Sequence, residues 1–287
     1  MSGWLVTGAG GMLGQDIGHV LRRRSEPVTA LARGELDITD ALAVADCISA
    51  HNPDVVVNCA AWTAVDAAEE HEDEALRING SGVANLAAQC QRHGSRLVQL
   101  STDYVFGKTE QRSHSENDSP APVNAYGRTK LAGERAALGV PGSYVVRTAW
   151  LYGAHGPSFV RTMIGRARAG ASVQVVDDQR GQPTWTIDVA EQIVALIRAG
   201  AEPGVYHATS SGETTWYGLA CEVFRLIGAD PGRVTPVSSA AYPRPAPRPG
   251  CSVLGHGAWA RAGLAPIGAW DDSLARALPS VAAAAAT

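Results

Sequence analysis

The composition of the chain is that of an ordinary globular protein. Its 287 residues are 45% hydrophobic and 18% charged, enough to build one large domain or two closely packed ones. The formal net charge of −4 argues against a broad basic surface for nucleic acid or anionic membrane. No apolar run approaches the roughly 20 residues of a membrane span, and the N-terminal sequence lacks a secretory signal pattern. We therefore expect a cytoplasmic protein with neither a nucleic-acid nor a membrane partner.

The first half of the chain alternates short apolar runs with segments of helical period. Five runs are typical of parallel strands buried on both faces: Trp4–Thr7, Val28–Ala32, Val55–Cys59, Leu97–Ser101 and Tyr144–Arg147. Helices are predicted between them at Leu13–Arg24, Asp40–His51, Glu74–His93 and Tyr126–Leu138, with Thr39 as the N-cap of the second. This order predicts an α/β fold in which residues 1–148 form a Rossmann-type, doubly wound parallel sheet.

The second half has a less regular pattern. Helices are predicted at Phe159–Ala169, Asp188–Ala199 and Trp216–Ile227, separated by short strand-like segments. We interpret residues 149–287 as a smaller α/β domain that mainly binds substrate, with some segments returning to the Rossmann sheet. The run "YPRPAPRPG" is predicted to cross the surface in extended form, and the tail "VAAAAAT" to be frayed.

A glycine-rich loop, "VTGAGGMLG", joins the first strand to the first helix. Gly8 permits a tight turn, Gly11 lets the backbone approach a pyrophosphate, and Gly14 allows close helix–strand packing. The N-terminus of the following helix presents free N–H groups to phosphates. The position of the loop between a strand and a helix predicts a dinucleotide site.

The segment "LARGELD" near the end of the second strand bears on which dinucleotide binds. Arg33 could accept a 2′-phosphate and favour NADPH, whereas Glu35 could bond a ribose hydroxyl and favour NADH. A solvated surface arginine is an equally good interpretation of Arg33. We expect NADPH, with NADH as the alternative.

Three polar side chains fit the chemistry of ketone reduction. Thr102 ends the fourth strand, where doubly wound sheets gather reactive groups, and Tyr126 and Lys130 lie one helical turn apart. A tyrosine can supply the proton for the ketone oxygen, a nearby ammonium lowers its pKa, and a hydroxyl holds the oxygen. Taken singly, the pair is a chance-level pattern and Thr102 an ordinary loop cap. With the glycine loop they predict a reductase.

Seven segments of the chain resemble the dTDP-4-dehydrorhamnose reductases, which belong to the extended short-chain dehydrogenase/reductases. In order they are "VNCAAWTAVDAAE", "STDYVF", "AYGRTKLAGE", "VVRTAWLYG", "DDQRGQPTW", "GVYHATSSGETTWYGLA" and "YPRPAPRP". The resemblance extends from about residue 3 to residue 278. The second, third and fifth segments together distinguish this family from sugar epimerases and dehydratases.

The resemblance implies a role for each matching residue. Tyr126 would give its proton to the C4 carbonyl oxygen of the sugar, Thr102 would bond the same oxygen, and Lys130 would hold the nicotinamide ribose and lower the tyrosine pKa. The implied cofactor contacts, with Arg33 and the catalytic Tyr126 and Lys130, are Gly8, Gly11, Met12, Leu13, Asp37, Ile38, Ala60, Ala61 and Thr63. The implied substrate contacts, with Thr102, are Val65, Tyr104, Trp150 and Arg180, next to Gln179 and Pro183 of the nucleotide pocket. Apart from the resemblance, Trp150 is as readily a core aromatic and Arg180 a solvent-facing arginine.

The chain departs from the family pattern at three places. Gly107 stands where an aspartate is usual, Trp62 where tyrosine or histidine is usual, and Cys251 near a more polar position. The polar stretch from Gly107 to Pro122 is a candidate lid. Five cysteines without Cys-x-x-Cys spacing predict reduced thiols. Some members of the family that the chain resembles bind a divalent metal at a dimer interface through glutamates; position 15 is a glutamine here, so no metal is expected.

The resulting expectation is an NAD(P)H-dependent reduction of a dTDP-4-keto-6-deoxy-L-hexose, with dTDP-4-dehydro-L-rhamnose to dTDP-L-rhamnose as the default. One alternative keeps the chemistry but changes the sugar or its C4 stereochemistry, as in antibiotic pathways. Another is a non-catalytic regulatory subunit, because a subunit of methionine adenosyltransferase shares this fold. We expect a monomer or a homodimer.

Overall fold

The computed structural model describes residues 3–107 and 112–285. The strands are β1 (Trp4–Thr7), β2 (Val28–Leu31), β3 (Val55–Asn58), β4 (Arg96–Thr102), β5 (Tyr144–Thr148), β6 (Leu151–Tyr152), β7 (Val173–Val176), β8 (Arg180–Gly181), β9 (Thr184–Trp185), β10 (Gly204–His207), β11 (Ser210–Ser211), β12 (Thr214–Thr215), β13 (Val234–Val237) and β14 (Ile267–Ala269). The α-helices are α1 (Met12–Arg23), α2 (Ala41–His51), α3 (Glu72–Leu76), α4 (Gly82–His93), α5 (Ala125–Leu138), α6 (Phe159–Arg168), α7 (Thr186–Arg198), α8 (Trp216–Leu226), α9 (Gly257–Arg261) and α10 (Trp270–Ala284).

A six-stranded sheet in the order β10-β5-β4-β3-β1-β2 forms the centre of the molecule, and all its neighbouring strands are parallel. β1 lies between β2 and β3, so the chain leaves β1 toward one edge and returns on its other side. The crevice outside the carboxyl ends of β1 and β3 is therefore the topological switch point, where such sheets bind ligands.

Helices cover both faces of this sheet, which explains the continuous apolar runs of its strands. Trp4 and Val6 face a core shared with α1 and α7, whereas Leu5 between them faces a core shared with α2, α4 and α5. Alternate residues of one strand thus enter different cores, and neither face needs polar side chains. The doubly wound α/β fold predicted from the sequence is confirmed.

The predicted strands and helices all occur, and three local details differ. The N-cap of α2 is Asp40, whose carboxylate accepts from Leu42 N and Ala43 N at 3.0 Å; Thr39 instead donates to Asp37. The third predicted helix contains a π-helical turn at Arg77–Ser81 between α3 and α4. The predicted frayed tail is wrong up to Ala284, since α10 is helical to that residue and packs with α6 and α8; residues 286 and 287 lie outside the described residues.

The second half of the chain has a hydrophobic core of its own, built by α6, α8, α10 and the parallel pair β7 and β13. Two of its segments belong to the first core instead: α7 packs on α1, and β10 pairs with β5. The division at residue 148 stays a prediction.

In the parts of the chain that the structure describes, every helix is too short or too polar to span a bilayer. All five cysteines are free thiols.

Candidate active site

Three adjoining cavities follow the carboxyl ends of β1, β3, β4 and β5. The cofactor-loop cavity, of about 230 Å³, lies at the glycine loop, and the central cavity, of about 640 Å³, lies at the ends of β4 and β5. The outer cavity, of about 410 Å³, lies between the two cores. Gly11 and Ala61 line both of the first two, and Tyr104 and Trp216 line both of the last two. The three cavities therefore form one continuous cleft.

Most of the residues predicted for the site line this cleft. The cofactor-loop cavity is lined by Gly8, Gly11, Arg33, Asp37, Ile38, Ala60 and Ala61. The central cavity is lined by Met12, Leu13, Thr63, Val65, Thr102, Tyr104, Tyr126, Lys130 and Trp150. Gln179 lines the outer cavity.

The glycine loop is built around close backbone approaches. Gly8 has a φ of +65°, and a β-carbon there would collide with Ala60 at the end of β3. A β-carbon at Gly14 would collide with the carbonyl of Gly8. Gly11 is the N-cap of α1 and uses no side chain to cap it, so the first N–H groups of α1 face the cavity. The loop and helix end form a cradle for an anionic group.

The structure separates the roles of Arg33 and Glu35. The Glu35 carboxylate turns back to accept from Ala32 N at 2.8 Å, whereas Arg33 lines the cofactor-loop cavity. Hydrogen bonds from the backbone and hydroxyl of Thr39 lower the pKa of Asp37. Arg33 therefore places a positive charge at the cofactor-loop cavity, whereas the Glu35 carboxylate is hydrogen-bonded to the backbone.

Tyr126 lies in the first turn of α5, where Asn124 caps the helix by accepting from Gly127 N at 2.8 Å. The turn is also tied to the π-helical segment, since Asn79 donates to Thr129 Oγ1 at 3.0 Å and Thr129 donates to the Tyr126 carbonyl at 2.8 Å. The Tyr126 ring is 9% exposed and meets Tyr104 edge to face. Its position is therefore held by hydrogen bonds on both sides.

Lys130 is buried at 4% exposure, and its Nζ donates to the Leu100 carbonyl of β4 at 2.7 Å. Burial lowers the pKa of Lys130 to about 8, against the opposing effects of Glu134 and Cys59. The expectation that Lys130 lowers the pKa of Tyr126 is not met in this structure. Burial, followed by the nearby Asp103 charge, raises the pKa of Tyr126, while a hydrogen bond with Thr102 opposes the rise. Tyr126 is consequently held as the neutral phenol.

Asp103 is a buried acid that the sequence reasoning did not single out. It follows Thr102, whose hydroxyl donates to Asp103 Oδ1 at 2.9 Å and accepts from Tyr104 N at 3.1 Å. Burial raises the pKa of Asp103 to about 6. The single proton of Thr102 is directed at an ionised Asp103 and becomes available to another acceptor when Asp103 is neutral.

Asp103→Asn is expected to change the pH dependence of stability. The folded protein binds this proton more tightly than the unfolded chain, so wild-type stability falls as pH rises from the ordinary value of 3.8 to about 6. The free energy of unfolding of the variant relative to wild type should therefore rise by about 3 kcal/mol across that window. Urea unfolding at several pH values measures this, with the exposed Asp46→Asn as a control. A flat difference for Asp103→Asn would contradict the expectation.

Two further hydroxyls lie on the floor of the central cavity. Ser101 and Thr148 are buried at the ends of β4 and β5, and their hydroxyls have no hydrogen-bond partner among the described residues. Buried polar groups without partners are rare in folded proteins, so these two hydroxyls call for a partner that the described residues do not supply. The central cavity thus has polar contacts to offer beyond Thr102 and Tyr126.

The outer cavity contains two arginines that the sequence reasoning missed. Arg248 Nη1 donates to Asp66 Oδ1 at 2.7 Å, and Arg244 lies 4.0 Å from the other oxygen of Asp66. Arg248 also lines the outer cavity together with Tyr104, which borders the central cavity as well. The sequence does contain an indication of this pair, because the run "YPRPAPRP", predicted to cross the surface, carries both arginines.

Arg180, the predicted substrate contact, does not join the cleft. It belongs to β8, where its guanidinium pairs with Glu213, and the described residues that line the three cavities do not include it. Both partners are partly exposed, and the carboxylate neutralises the arginine charge. Pro183 is buried between β8 and β9 and lines none of the three cavities. The described residues also hold no cluster of three or more His, Cys, Asp or Glu that could bind a metal ion.

The chain is similar to known proteins along nearly its whole length. A model of the family described as the RmlD substrate binding domain matches residues 2–283. The chain belongs to this family. It is 54% identical to a dTDP-4-keto-6-deoxy-D-glucose reductase of Streptomyces niveus over 96% of both chains. It is 52% identical to a dTDP-4-dehydrorhamnose reductase of Streptomyces griseus, over 97% of this chain and 93% of the relative.

A solved structure of the RmlD family has nearly the same fold. The dTDP-4-dehydrorhamnose reductase of Bacillus anthracis, crystallised in complex with NADP, superimposes with a TM-score of 0.94 at 33% identity. The match covers 97% of this chain and 99% of the other. The family resemblance noted in the sequence is confirmed.

Two of the departures from the RmlD family pattern have a visible physical setting. At Gly107 a β-carbon would collide with Val123 and the Ala121 carbonyl, so this chain has no room for the usual aspartate. Trp62 packs near Tyr126 and donates from Nε1 to the Ala64 carbonyl at 3.0 Å. The third, Cys251, is buried beside β8.

The predicted lid is packed in this RmlD-family chain, as far as it is described. Residues 112–122 lie against the segment after Cys251: His114 stacks on Phe106 at 4.2 Å, and Glu116 accepts from Ala258 N at 2.9 Å. Residues 108–111 of the predicted lid lie outside the described residues.

Proposed function

We propose that this chain reduces the C4 ketone of a dTDP-4-keto-6-deoxy-L-hexose with NADPH, with dTDP-4-dehydro-L-rhamnose as the default substrate. The observation that carries the proposal is the placement of Thr102, Tyr126 and Lys130 in the central cavity. This cavity opens on one side to the glycine loop and on the other to the arginine-lined outer cavity. Reductant and nucleotide sugar can therefore approach the same tyrosine from opposite ends.

The residues present fit a dinucleotide. The cradle at Gly8, Gly11 and the N-terminus of α1 suits a pyrophosphate, and Arg33 suits a 2′-phosphate, which favours NADPH over NADH. The unpartnered hydroxyls of Ser101 and Thr148 suit the polar edge of a nicotinamide. When bound, the cofactor supplies a hydride to the carbonyl carbon.

The protein supplies the proton. Tyr126 is neutral because burial raises its pKa, so its phenolic O–H is available to the C4 oxygen as negative charge develops there. Thr102 donates a hydrogen bond to the same oxygen when Asp103 does not accept that hydrogen bond. The buried Lys130 lines the same cavity and, as the family resemblance implies, would hold the nicotinamide ribose.

The outer cavity suits the nucleotide part of the substrate. Arg244 and Arg248 provide guanidinium groups for the diphosphate, and they replace Arg180 in our assignment. Val65, Tyr104 and Trp150 border the central cavity on the sugar side. Asp66 holds Arg248 in place through their ion pair. Burial opposes the ionised form of Asp66, but hydrogen bonds from Arg248 and the Ala246 N–H outweigh it and lower the pKa of Asp66.

Arg248→Gln is expected to raise KM for the nucleotide sugar on the order of 10- to 100-fold, because one charge-assisted hydrogen bond contributes about 1.5–3 kcal/mol. The kcat and the Kd for NADPH should stay within about twofold. Steady-state kinetics measure this, with Arg180→Gln as the matched control. A larger rise in KM for Arg180→Gln would return the diphosphate to Arg180.

The function itself is tested by mixing the purified chain with NADPH and an enzymatically prepared, 3,5-epimerised dTDP-4-keto-6-deoxy sugar. We expect oxidation of NADPH, followed at its absorbance band, and dTDP-L-rhamnose identified by NMR. Binding without oxidation would overturn the enzymatic function in favour of a regulatory role.

A second candidate keeps the chemistry and changes the sugar. It is favoured by the Streptomyces niveus relative, named for a D-glucose-derived ketone, and by Trp62, which packs near Tyr126. A different C4 epimer in the NMR spectrum, or turnover only of the unepimerised ketone, would select this candidate.

We infer further that the chain acts in the cytoplasm, where NADPH and nucleotide sugars occur and its five free thiols remain reduced. We propose a monomer or a homodimer, which light scattering on the purified protein distinguishes.

A further inference from the structure

A strained tryptophan stands at the wall of the central cavity. Trp150 follows β5 and has a φ of +47°, in the left-handed region that side chains other than glycine rarely occupy. Such a conformation is strained for a bulky residue and persists only where its surroundings enforce it. The surroundings of this indole therefore need an explanation.

The Trp150 indole is enclosed on both faces. Trp216 stacks on one face, with ring centroids 3.6 Å apart and planes 9° apart. The backbone of Gly181 covers the other face so closely that a β-carbon there would overlap the ring. Phe159 meets the far side of Trp216 edge to face at 4.8 Å. The indole is thus clamped between a glycine backbone and a second indole.

The two walls of this clamp are joined to each other. Gly181 belongs to β8, which pairs with β12, and Trp216 directly follows β12. Thr215, the last residue of β12, caps α8 by accepting from Gly218 N at 3.0 Å. The spacing of the clamp is therefore set by a strand pair and a helix cap.

We propose that Trp216 is a positioning residue: it holds Trp150 in its left-handed conformation and so orients the indole that borders the reacting sugar. Trp216 lines both the central and the outer cavity, so the same ring separates the two parts of the substrate. The proposal rests on the proposed function, because it takes the central cavity as the place where the ketone is reduced.

The test compares Trp216→Leu, which removes the stack, with Trp216→Phe, which restores an aromatic face. For Trp216→Leu we expect kcat/KM for the dTDP-keto sugar to fall on the order of 10- to 100-fold, since small misplacements of a reacting group have effects of this size. The Kd for NADPH should stay within about twofold, and Trp216→Phe should recover most of the activity. Trp185→Leu is the control, because Trp185 belongs to the same core but lies outside the lining of the cavities.

A spectroscopic readout follows the stack directly. Two indoles in parallel contact couple their strong electronic transitions, so the wild type should show an exciton couplet in its far-ultraviolet circular dichroism. The couplet should disappear in Trp216→Phe and persist in Trp185→Phe. Gly181→Ala approaches the clamp from its other side and should shift the couplet and lower kcat/KM, whether or not Trp216→Leu folds well.

The outcomes separate this proposal from the function beneath it. An active wild type whose Trp216→Leu and Gly181→Ala variants keep kcat/KM within about twofold overturns the positioning role alone. A wild type that oxidises no NADPH with any dTDP-keto sugar overturns the proposed function and the positioning role with it.

Discussion

Tyr126→Phe is expected to lower kcat about 10²- to 10⁴-fold, the range that a positioned general acid contributes. The phenylalanine ring fills the same buried space, so the loss comes from the missing O–H and not from packing. The Kd for NADPH should change little, because Gly8 and Arg33 line the cofactor-loop cavity and the variant leaves the backbone of the glycine loop intact. Stopped-flow measurement of NADPH oxidation and fluorescence titration of the cofactor give the two quantities.

The matched control for this loss is Tyr104→Phe. Tyr104 lines the same cavity and meets Tyr126 edge to face with centroids 6.1 Å apart, so its variant loses the same group from a neighbouring position. We expect a much smaller fall in kcat for Tyr104→Phe. Near-normal turnover by Tyr126→Phe would remove Tyr126 from the role of proton donor.

Arg147→Met is expected to lower the free energy of unfolding by about 3–5 kcal/mol, the usual effect of removing one partner of a buried ion pair. Arg147 on β5 donates from Nε and Nη2 to the two oxygens of Glu134 on α5, each at 2.8 Å, and both side chains are almost fully buried. The variant leaves the Glu134 carboxylate buried without its cation. Urea unfolding measures the change.

Other groups around Arg147 make its loss more damaging. Its guanidinium lies over the Phe106 ring at 5.0 Å and contacts His207 Nε2 at 3.3 Å. Burial, with the Arg147 charge, lowers the pKa of His207 to about 3, so this histidine is neutral beside Arg147 in the wild type. Glu134 also lies one helical turn beyond Lys130 and opposes the lowering of its pKa, so the variant should disturb the active site as well.

Two variants test whether unpaired charge is the cause. Arg128→Met breaks a pair between α5 and Glu72 of α3, but that pair is exposed, and its loss should cost about 1 kcal/mol or less. The double variant Glu134→Leu/Arg147→Met removes both charges and should be more stable than Arg147→Met alone. If Arg147→Met costs no more than Arg128→Met, the buried pair is not a major source of stability.

The helix that carries Tyr126 and Lys130 illustrates how far local pattern extends. Its beginning follows from Asn124, its length from helical periodicity, and the shared face of the two side chains from the spacing of four residues. The pKa of Tyr126 did not follow in the same way. It depends on Asp103 and on burial beneath the cleft, which are set by segments remote in the chain.

By itself, the sequence predicted the doubly wound fold from periodicity, and it predicted the glycine cradle and the Thr102, Tyr126 and Lys130 set from their positions in that fold. The structure confirms the fold and brings the three side chains to one cavity, while their roles stay a proposal. Only the tertiary structure decided which arginine lines the outer cavity, which we propose for the substrate diphosphate. Arg180 and Arg248 both sit in polar, partly exposed segments, and nothing local distinguishes them. Arg180 meets Glu213 across the β8 and β12 pair, whereas Arg248 is brought to Asp66 from the other half of the chain. Pairing over such separations depends on how the two halves of the chain pack, because each guanidinium points toward the carboxylate that folding places beside it.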